Sequence, residues 1–305
     1  MPILTYTVPS AFDGATMQSF LRRGCGVSAR LLAKLKRVEN GVTADGILTR
    51  SVDRVRAGQV VRLRMPEDVL RVSPIDLPLS VVYEDADVLV VDKPPYLAVH
   101  PSAGREGPTL AAAVTAYFAA LGEPLAFRPV NRLDRNTSGL LLIAKNAHAA
   151  HRLGGGLDSV EKEYLAVAQG TLKGTGFIDQ PIRVREGYGI TREVGEGGKP
   201  CRTRWETLAA DEELSLLRVR IETGRTHQIR VHMAWLGHPL AGDTMYGGDA
   251  RLLPRHGLHC HAMRFTQPAA GNAIALSAAL PDDMTALCAS RGWPISWAPR
   301  WNSGL

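Results

Sequence analysis

The segment NRLDRNTSGLLLIAKN, residues 131–146, holds one carboxylate, Asp134, between Arg132 and Arg135. Thr137, Ser138 and Gly139 then make a turn that runs into the apolar stretch LLLIA. A carboxylate at the mouth of a strand, beside small polar residues, is placed to react. The same residues also suit an ordinary turn, in which the aspartate bonds nearby backbone N–H groups. A second segment, TGRTHQIRVHMAWLGHPLAGDTMYG at 223–247, starts with a turn at Thr223-Gly224. Arg225 then opens a helix expected over about 226–236. Arg225 is the expected partner of Asp134 across the fold. A guanidinium there would favour the ionised carboxylate, ready as nucleophile or base, where an isolated buried one would become neutral. A purely structural ion pair is the competing reading. The third segment, EKEYLAVAQG at 161–170, sets Tyr164 in a strand of alternating character. A tyrosine there is either core or a platform on which a base pulled from RNA can stack.

Other chemistries fit less well. His256, His259, Cys260 and His261 have metal-binding atoms, but neighbours on one strand point to opposite faces. His227 and His232 stand five apart, which does not make a helical metal pair. G-E-G-G-K-P at 195–200 has the wrong spacing for a phosphate loop. A glycosidase needs two carboxylates, and no second acid stands near Asp134; Glu222 and Asp243 read as structural. No metal and no cofactor are expected.

The elements that must position these residues alternate without regular βαβ order, which gives class α+β. Strands are expected at 80–84, 87–92, 139–144, 163–168 and 215–222, and a helix at 109–121. Residues 66–79, PEDVLRVSPIDLPL, read as a linker. Gly154-Gly155-Gly156 is a loop candidate. The expected organisation is a small basic domain at 1–65, the linker, and a catalytic domain at 80–305.

Charge supports that division. Residues 1–65 hold 11 Lys/Arg against 4 Asp/Glu, while 66–305 hold 25 against 26, so the chain's net +6 originates in its first fifth. A basic module on a near-neutral domain suits capture of a polyanion, although basic surfaces also serve solubility. Residues 28–39 read as a helix capped by Ser28 and ended by Asn40-Gly41. Leu31, Leu32, Leu35 and Val38 share one face, and Arg30, Lys34 and Arg37 share another that can follow a phosphate backbone. Short strands with turns at Asp45-Gly46 and Ala57-Gly58 follow. At 45% hydrophobic and 22% charged, the chain is of ordinary globular composition. No apolar run nears the roughly 18 residues that span a bilayer. The N-terminus lacks signal-peptide features, and Cys25, Cys201, Cys260 and Cys288 form no disulfide framework. A soluble, cytoplasmic protein is expected.

The basic helix, then G-V-T-A-D-G, then V-x-x-G-Q-V-V-R-L, resembles the α-L RNA-binding module first seen in a small-subunit ribosomal protein. The likeness covers about residues 12–64, and the first helix, near ATMQSFLRRG, departs from that module's usual arginine-leucine-aspartate opening. Beyond it, three segments resemble the RluA family of RNA pseudouridine synthases. They are N-R-L-D-x-x-T-S-G-L-L-L-x-A-K-N at 131–146, K-x-Y-x-A at 162–166 and G-R-T-H-Q-I-R-V-H through G-D-x-x-Y-G at 224–247, in family order. V-V-Y-E-D-A-D-V-L-V-V-D-K-P-P and L-H-C-H-A-M-R-F at 258–265 fit as well, so the likeness spans roughly 80–290. Asn131 departs from the family's usual histidine, which bears on local RNA contacts and target choice.

The resemblance implies a mixed, mostly antiparallel sheet core flanked by helices. It also implies isomerisation of uridine to pseudouridine in ribosomal or transfer RNA, by a protein that needs only to be a monomer. Asp134 would be the essential acid, attacking the base or the sugar, or acting as a base on the ribose. Arg225 would be its basic partner. Tyr164 would stack on the target base and help remove the C5 proton. Arg132 would enter the RNA stack that the uridine leaves. Leu133, Leu140 and Ile229 are candidates for a wall that excludes water. The alternative is a non-catalytic RNA-binding protein that kept the fold, against which Asp134, Tyr164 and Arg225 are all intact.

Overall fold

Two sheets with separate apolar cores organise the chain in a computed structural model, which describes residues 3–65, 72–101, 107–154 and 160–301. The first sheet has four strands: β1 (Ile3–Thr7), β2 (Val42–Ala44), β3 (Ile47–Leu48) and β4 (Val60–Arg64), in the order β1-β4-β2-β3. Helix α1 (Met17–Ser19), continued by a wider turn over Phe20–Gly24, and α2 (Ala29–Leu35) pack on it. Ser28 caps α2, accepting from Leu31 N–H at 3.0 Å. Leu31, Leu32 and Leu35 turn into the core with Phe20, Val55 and Leu63. Helix α2 is shorter than the sequence predicts, so Arg37 lies in the turn after it; Arg30, Lys34 and Arg37 are all exposed. Asp45 and Gly46 both have positive φ, which closes the tight β2–β3 hairpin.

This unit rests on α4 (Ala147–Leu153): the Tyr6 hydroxyl bonds His148 Nε2 at 3.0 Å, and Ala147 packs against the small core. Of the expected linker, residues 66–71 lie outside the described residues; 72–79 form neither helix nor strand.

The second sheet has nine strands. They are β5 (Ser80–Glu84), β6 (Val88–Lys93), β7 (Ser138–Ala144), β8 (Val160–Gln169), β9 (Thr175–Asp179), β12 (Arg202–Ala210), β13 (Leu214–Ile221), β14 (Leu258–Thr266) and β15 (Ala273–Ser277). The short pair β10 (Ile182–Val184) and β11 (Arg192–Val194) stands apart as a hairpin. The order is β5-β6-β7-β14-β8-β13-β12-β9, with β15 added to β14. Helices α3 (Leu110–Ala120), α5 (Gln228–Trp235) and α6 (Asp282–Ser290) complete this part. The class is α+β with a mostly antiparallel sheet.

Two features place the site. Strand β7 is buried along its whole length, which its unbroken LLLIA run anticipates. It meets β14 in parallel through only two residue pairs, His259 with Ser138 and Cys260 with Gly139. At Gly139 the backbone has φ +108°, and an added Cβ would lie 2.3 Å from the Cys260 carbonyl oxygen. Only glycine lets the strands approach there. The turn before it, residues 131–137, is thereby held where the two halves of the sheet join.

Candidate active site

Asp134 sits in that turn, and its carboxylate is met by Arg230, not Arg225. Arg230 Nη1 donates to Asp134 Oδ2 at 3.1 Å. The same guanidinium donates through Nε and Nη2 to both oxygens of Asp243, each at 2.7 Å. The expected Arg225–Asp134 pair does not form. Helix α5 starts at Gln228, three residues later than Arg225, so Arg225 is exposed and its Nε reaches the Pro200 carbonyl at 3.4 Å. Both arginines line the same pocket. Arg230 stands among Ile229, Val231 and Met233 on one apolar turn of helix. An arginine so placed must be buried and paired, and that pattern is the signal in the sequence that points to it.

Most of the 131–138 turn is fastened by hydrogen bonds. Asn131 accepts from Leu142 N–H at 2.8 Å and donates to the Leu140 carbonyl at 3.2 Å. Its amide thus takes a ladder position on the edge of β7, next to the backbone bond from Val130 N–H to Leu142. The main chain is freed there to leave the sheet. Lys93, wholly buried at the end of β6, donates to the carbonyls of Pro94, Leu97 and Arg135 at 2.7, 3.0 and 3.1 Å. Arg255, also buried, donates to the Asn136 carbonyl and forks onto Asp283. Thr137 shares a hydrogen bond with His256 Nε2 at 2.8 Å, and Ser138 with His259 Nδ1 at 3.0 Å. Burial pushes these two imidazoles down to about 2 and about 3 respectively, so both are neutral. The histidines of the candidate zinc cluster are therefore engaged elsewhere; His261 bonds the carbonyls of Ala278 and Trp297. No group of three metal-binding side chains converges among the described residues.

The pocket beside Asp134 has a volume of about 320 Å³. Tyr164, Leu133 and Ile229 line it together with Lys162 and His227; Leu140 lies within the core. Tyr164 is 5% exposed, and burial, with Cys260 and Asp134 nearby, pushes its phenol well above the ordinary value. Arg132 is exposed at the rim. Of the Gly154-Gly155-Gly156 loop, Gly154 lines the pocket and the other two lie outside the described residues. A carboxylate with a fixed cation, an apolar wall, a buried aromatic and cations at the rim thus meet at one pocket.

Comparison with known proteins agrees. The model of the RNA pseudouridylate synthase family matches residues 87–235. The chain is 37% identical over 265 residues to ribosomal large subunit pseudouridine synthase D of Vibrio cholerae, covering 81% of this chain and 82% of that one. It is 36% identical over 252 residues to the protein of the same name from Escherichia coli O6:H1, covering 77% of each. Among solved structures, human RNA pseudouridylate synthase domain containing 1 superposes with a TM-score of 0.53 at 30% identity, over 67% of this chain and 84% of that one. The fold and these relatives are those of enzymes that isomerise a base within RNA. The chain belongs to the RNA pseudouridine synthases of the RluA family, and it converts uridine to pseudouridine.

Proposed function

We propose that the substrate is ribosomal RNA of the large subunit and that Asp134 is the reactive carboxylate. The names of the bacterial relatives support the choice of RNA. The observation that carries the choice of residue is the Asp134–Arg230 contact of 3.1 Å on the pocket floor. In the reaction the N1–C1′ bond breaks, the uracil turns, and C5 bonds to C1′. The C5 proton leaves and N1 gains one, with no net redox change. The uridine must first leave its stack, at a cost of a few kcal/mol. Tyr164 stacking on the base and Arg132 filling the vacated place offset part of it. Leu133 and Ile229 keep water from the detached base.

In this reading residues 1–65 are the α-L-type RNA-binding module, holding phosphates through Arg30, Lys34 and Arg37, and residues 80–305 do the chemistry. Arg225, exposed at the rim, is assigned to RNA contact. A cytoplasmic monomer suffices. The test is tritium release from ribosomal RNA labelled at uridine C5, with wild type and Asp134→Asn. Release by wild type alone is expected. Binding without release by either protein would favour a non-catalytic RNA-binder.

A further inference from the structure

Tyr246 lies outside the pocket lining, yet it touches both neighbours of the Asp134 carboxylate. Its ring lies under Arg230, 5.0 Å from the guanidinium carbon to the ring centroid. Its hydroxyl stands 2.8 Å from His227 Nδ1. His227 Nε2 is in turn 3.8 Å from Asp134 Oδ2. The hydroxyl oxygen also accepts from Arg192 N–H, at 3.0 Å, in the β10–β11 hairpin. The ring packs with Ile182, Val194, Cys201 and Val231, where the hairpin meets α5.

The Tyr246 oxygen accepts from Arg192 N–H and its O–H can donate to His227 Nδ1; the reverse direction, Nδ1–H donating to the tyrosine oxygen, belongs to the other tautomer. A neutral imidazole that accepts at Nδ1 carries its proton at Nε2. Burial, the largest influence on His227, favours that neutral form. The Nε2–H then faces Asp134. His227 has φ +58°, a left-handed conformation, at the residue that precedes α5.

We propose that Tyr246 is a positioning residue for the isomerisation: its ring seats Arg230, its hydroxyl fixes His227 as the Nε2–H tautomer facing Asp134, and Arg192 N–H ties both to the β10–β11 hairpin. This rests on Asp134 being the reactive group. The hairpin exposes Arg183, Arg185 and Tyr188, with the Arg185 guanidinium 4.3 Å from the Tyr188 ring centroid. A shift of the hairpin would thus reach the carboxylate through Tyr246 and then His227 or Arg230.

The test compares Tyr246→Phe and Tyr246→Leu with wild type, in the full chain on ribosomal RNA. Phenylalanine keeps the ring under Arg230 and removes only the hydroxyl. Its single-turnover rate at saturating RNA should fall about five- to tenfold, the size of one hydrogen bond, with RNA affinity within twofold. Leucine should lose more, because Arg230 also loses its platform. Imidazole ¹⁵N spectra give a readout that packing alone would not move. His227, assigned by its loss in His227→Asn, should be the Nε2–H tautomer in wild type and a mixture in Tyr246→Phe. A Tyr246→Phe rate within twofold of wild type would overturn the proposal. So would a wild-type His227 protonated at Nδ1 near neutral pH. If wild type itself released no tritium, the reading of Asp134 would fail, while the spectra would still decide the tautomer.

Discussion

Arg230 grips two carboxylates at once, Asp243 with two nitrogens and Asp134 with one. The asymmetry assigns roles. Asp243 is 1% exposed along its side chain and takes the fork; Asp134 is 21% exposed and receives a single bond, which leaves an oxygen open to the pocket. Arg230→Lys should cut turnover by at least about a hundredfold, because an ammonium cannot make the planar fork that aims the remaining nitrogen at Asp134. Arg230→Met should also destabilise the fold by about 3–5 kcal/mol, since Asp243 would be left buried and unpaired. Arg225→Ala should act mainly on RNA affinity. Single-turnover rates and urea midpoints on the three variants check this; an Arg225→Ala rate as poor as that of Arg230→Lys would reverse the assignment.

Tyr164 offers a second prediction. Its phenol is held in the neutral form by burial, which raises its ionisation well above the ordinary range. The pH–rate profile should therefore show no limb from this group between about pH 8 and 10. Tyr164→Phe keeps the ring for stacking and loses the oxygen. If that oxygen takes part in removing the C5 proton, the rate falls by about 10²–10⁴ while RNA affinity holds. A loss of affinity with an intact rate would make Tyr164 a stacking platform alone.

The contrast between Asp134 and Arg230 shows what the sequence can and cannot convey. Asp134 is legible because its neighbours are local: the arginines, the Thr-Ser-Gly turn and the apolar strand lie within a dozen residues. Strand β7 is legible because it is buried on both faces and so carries no polar interruption. The partner of Asp134 is not, because two arginines five residues apart compete for the role and the start of α5 decides between them. His227 takes a left-handed conformation and delays that start to Gln228. The fastening of the turn is hidden as well. Lys93 and the adjacent pair Arg255-His256 come from segments far from the turn and from each other, and nothing in their local patterns says that they converge. Asn131 reads as a change in RNA contacts in the sequence and as a sheet-edge surrogate in the structure.

Gly139 should tolerate no side chain. Its φ of +108° is strained for any other residue, and a Cβ would stand 2.3 Å from the Cys260 oxygen and 2.6 Å from its nitrogen. Both are backbone atoms of a central strand, so neither can swing aside. Gly139→Ala should lower stability by about 3 kcal/mol or more and displace the Asp134 turn. Thermal melts and turnover should fall together. A variant with wild-type melting would mean that β7 and β14 can separate at little cost.

Acid should unfold the protein by way of the histidines beneath the turn. His256 and His259 are pushed down to about 2 and about 3 in the folded state, chiefly by burial, while an unfolded chain holds them near about 6.5. Below that value each of these two rings binds one more proton in the unfolded state than in the folded one. Stability is then lost as pH falls, by about 1.4 kcal/mol per pH unit for each ring. Urea unfolding at about pH 7.5, 6 and 5 measures the slope. His256→Asn should remove one proton from it, and an unchanged slope would place the uptake elsewhere.

The basic unit should contribute affinity and not chemistry. Arg30, Lys34 and Arg37 are exposed on and just after α2, away from the Tyr6–His148 contact that seats the unit on α4. Changing all three to alanine therefore leaves that seat and the small core in place, which deleting residues 1–65 would not. RNA binding should weaken, and the slope of log K against log salt should flatten by about 0.7–0.9 for each phosphate no longer neutralised. The single-turnover rate at saturating RNA should stay within about twofold, since the Asp134 turn is fastened entirely by residues from 93 onward. An unchanged salt slope would mean that the phosphates are held by the catalytic part, with the β10–β11 hairpin and Arg132 as the next groups to neutralise. A fall in rate without a change in affinity would mean that the basic unit reaches the active site, and α4, which runs from the end of β7 to Gly154 at the pocket, is the element through which it would act.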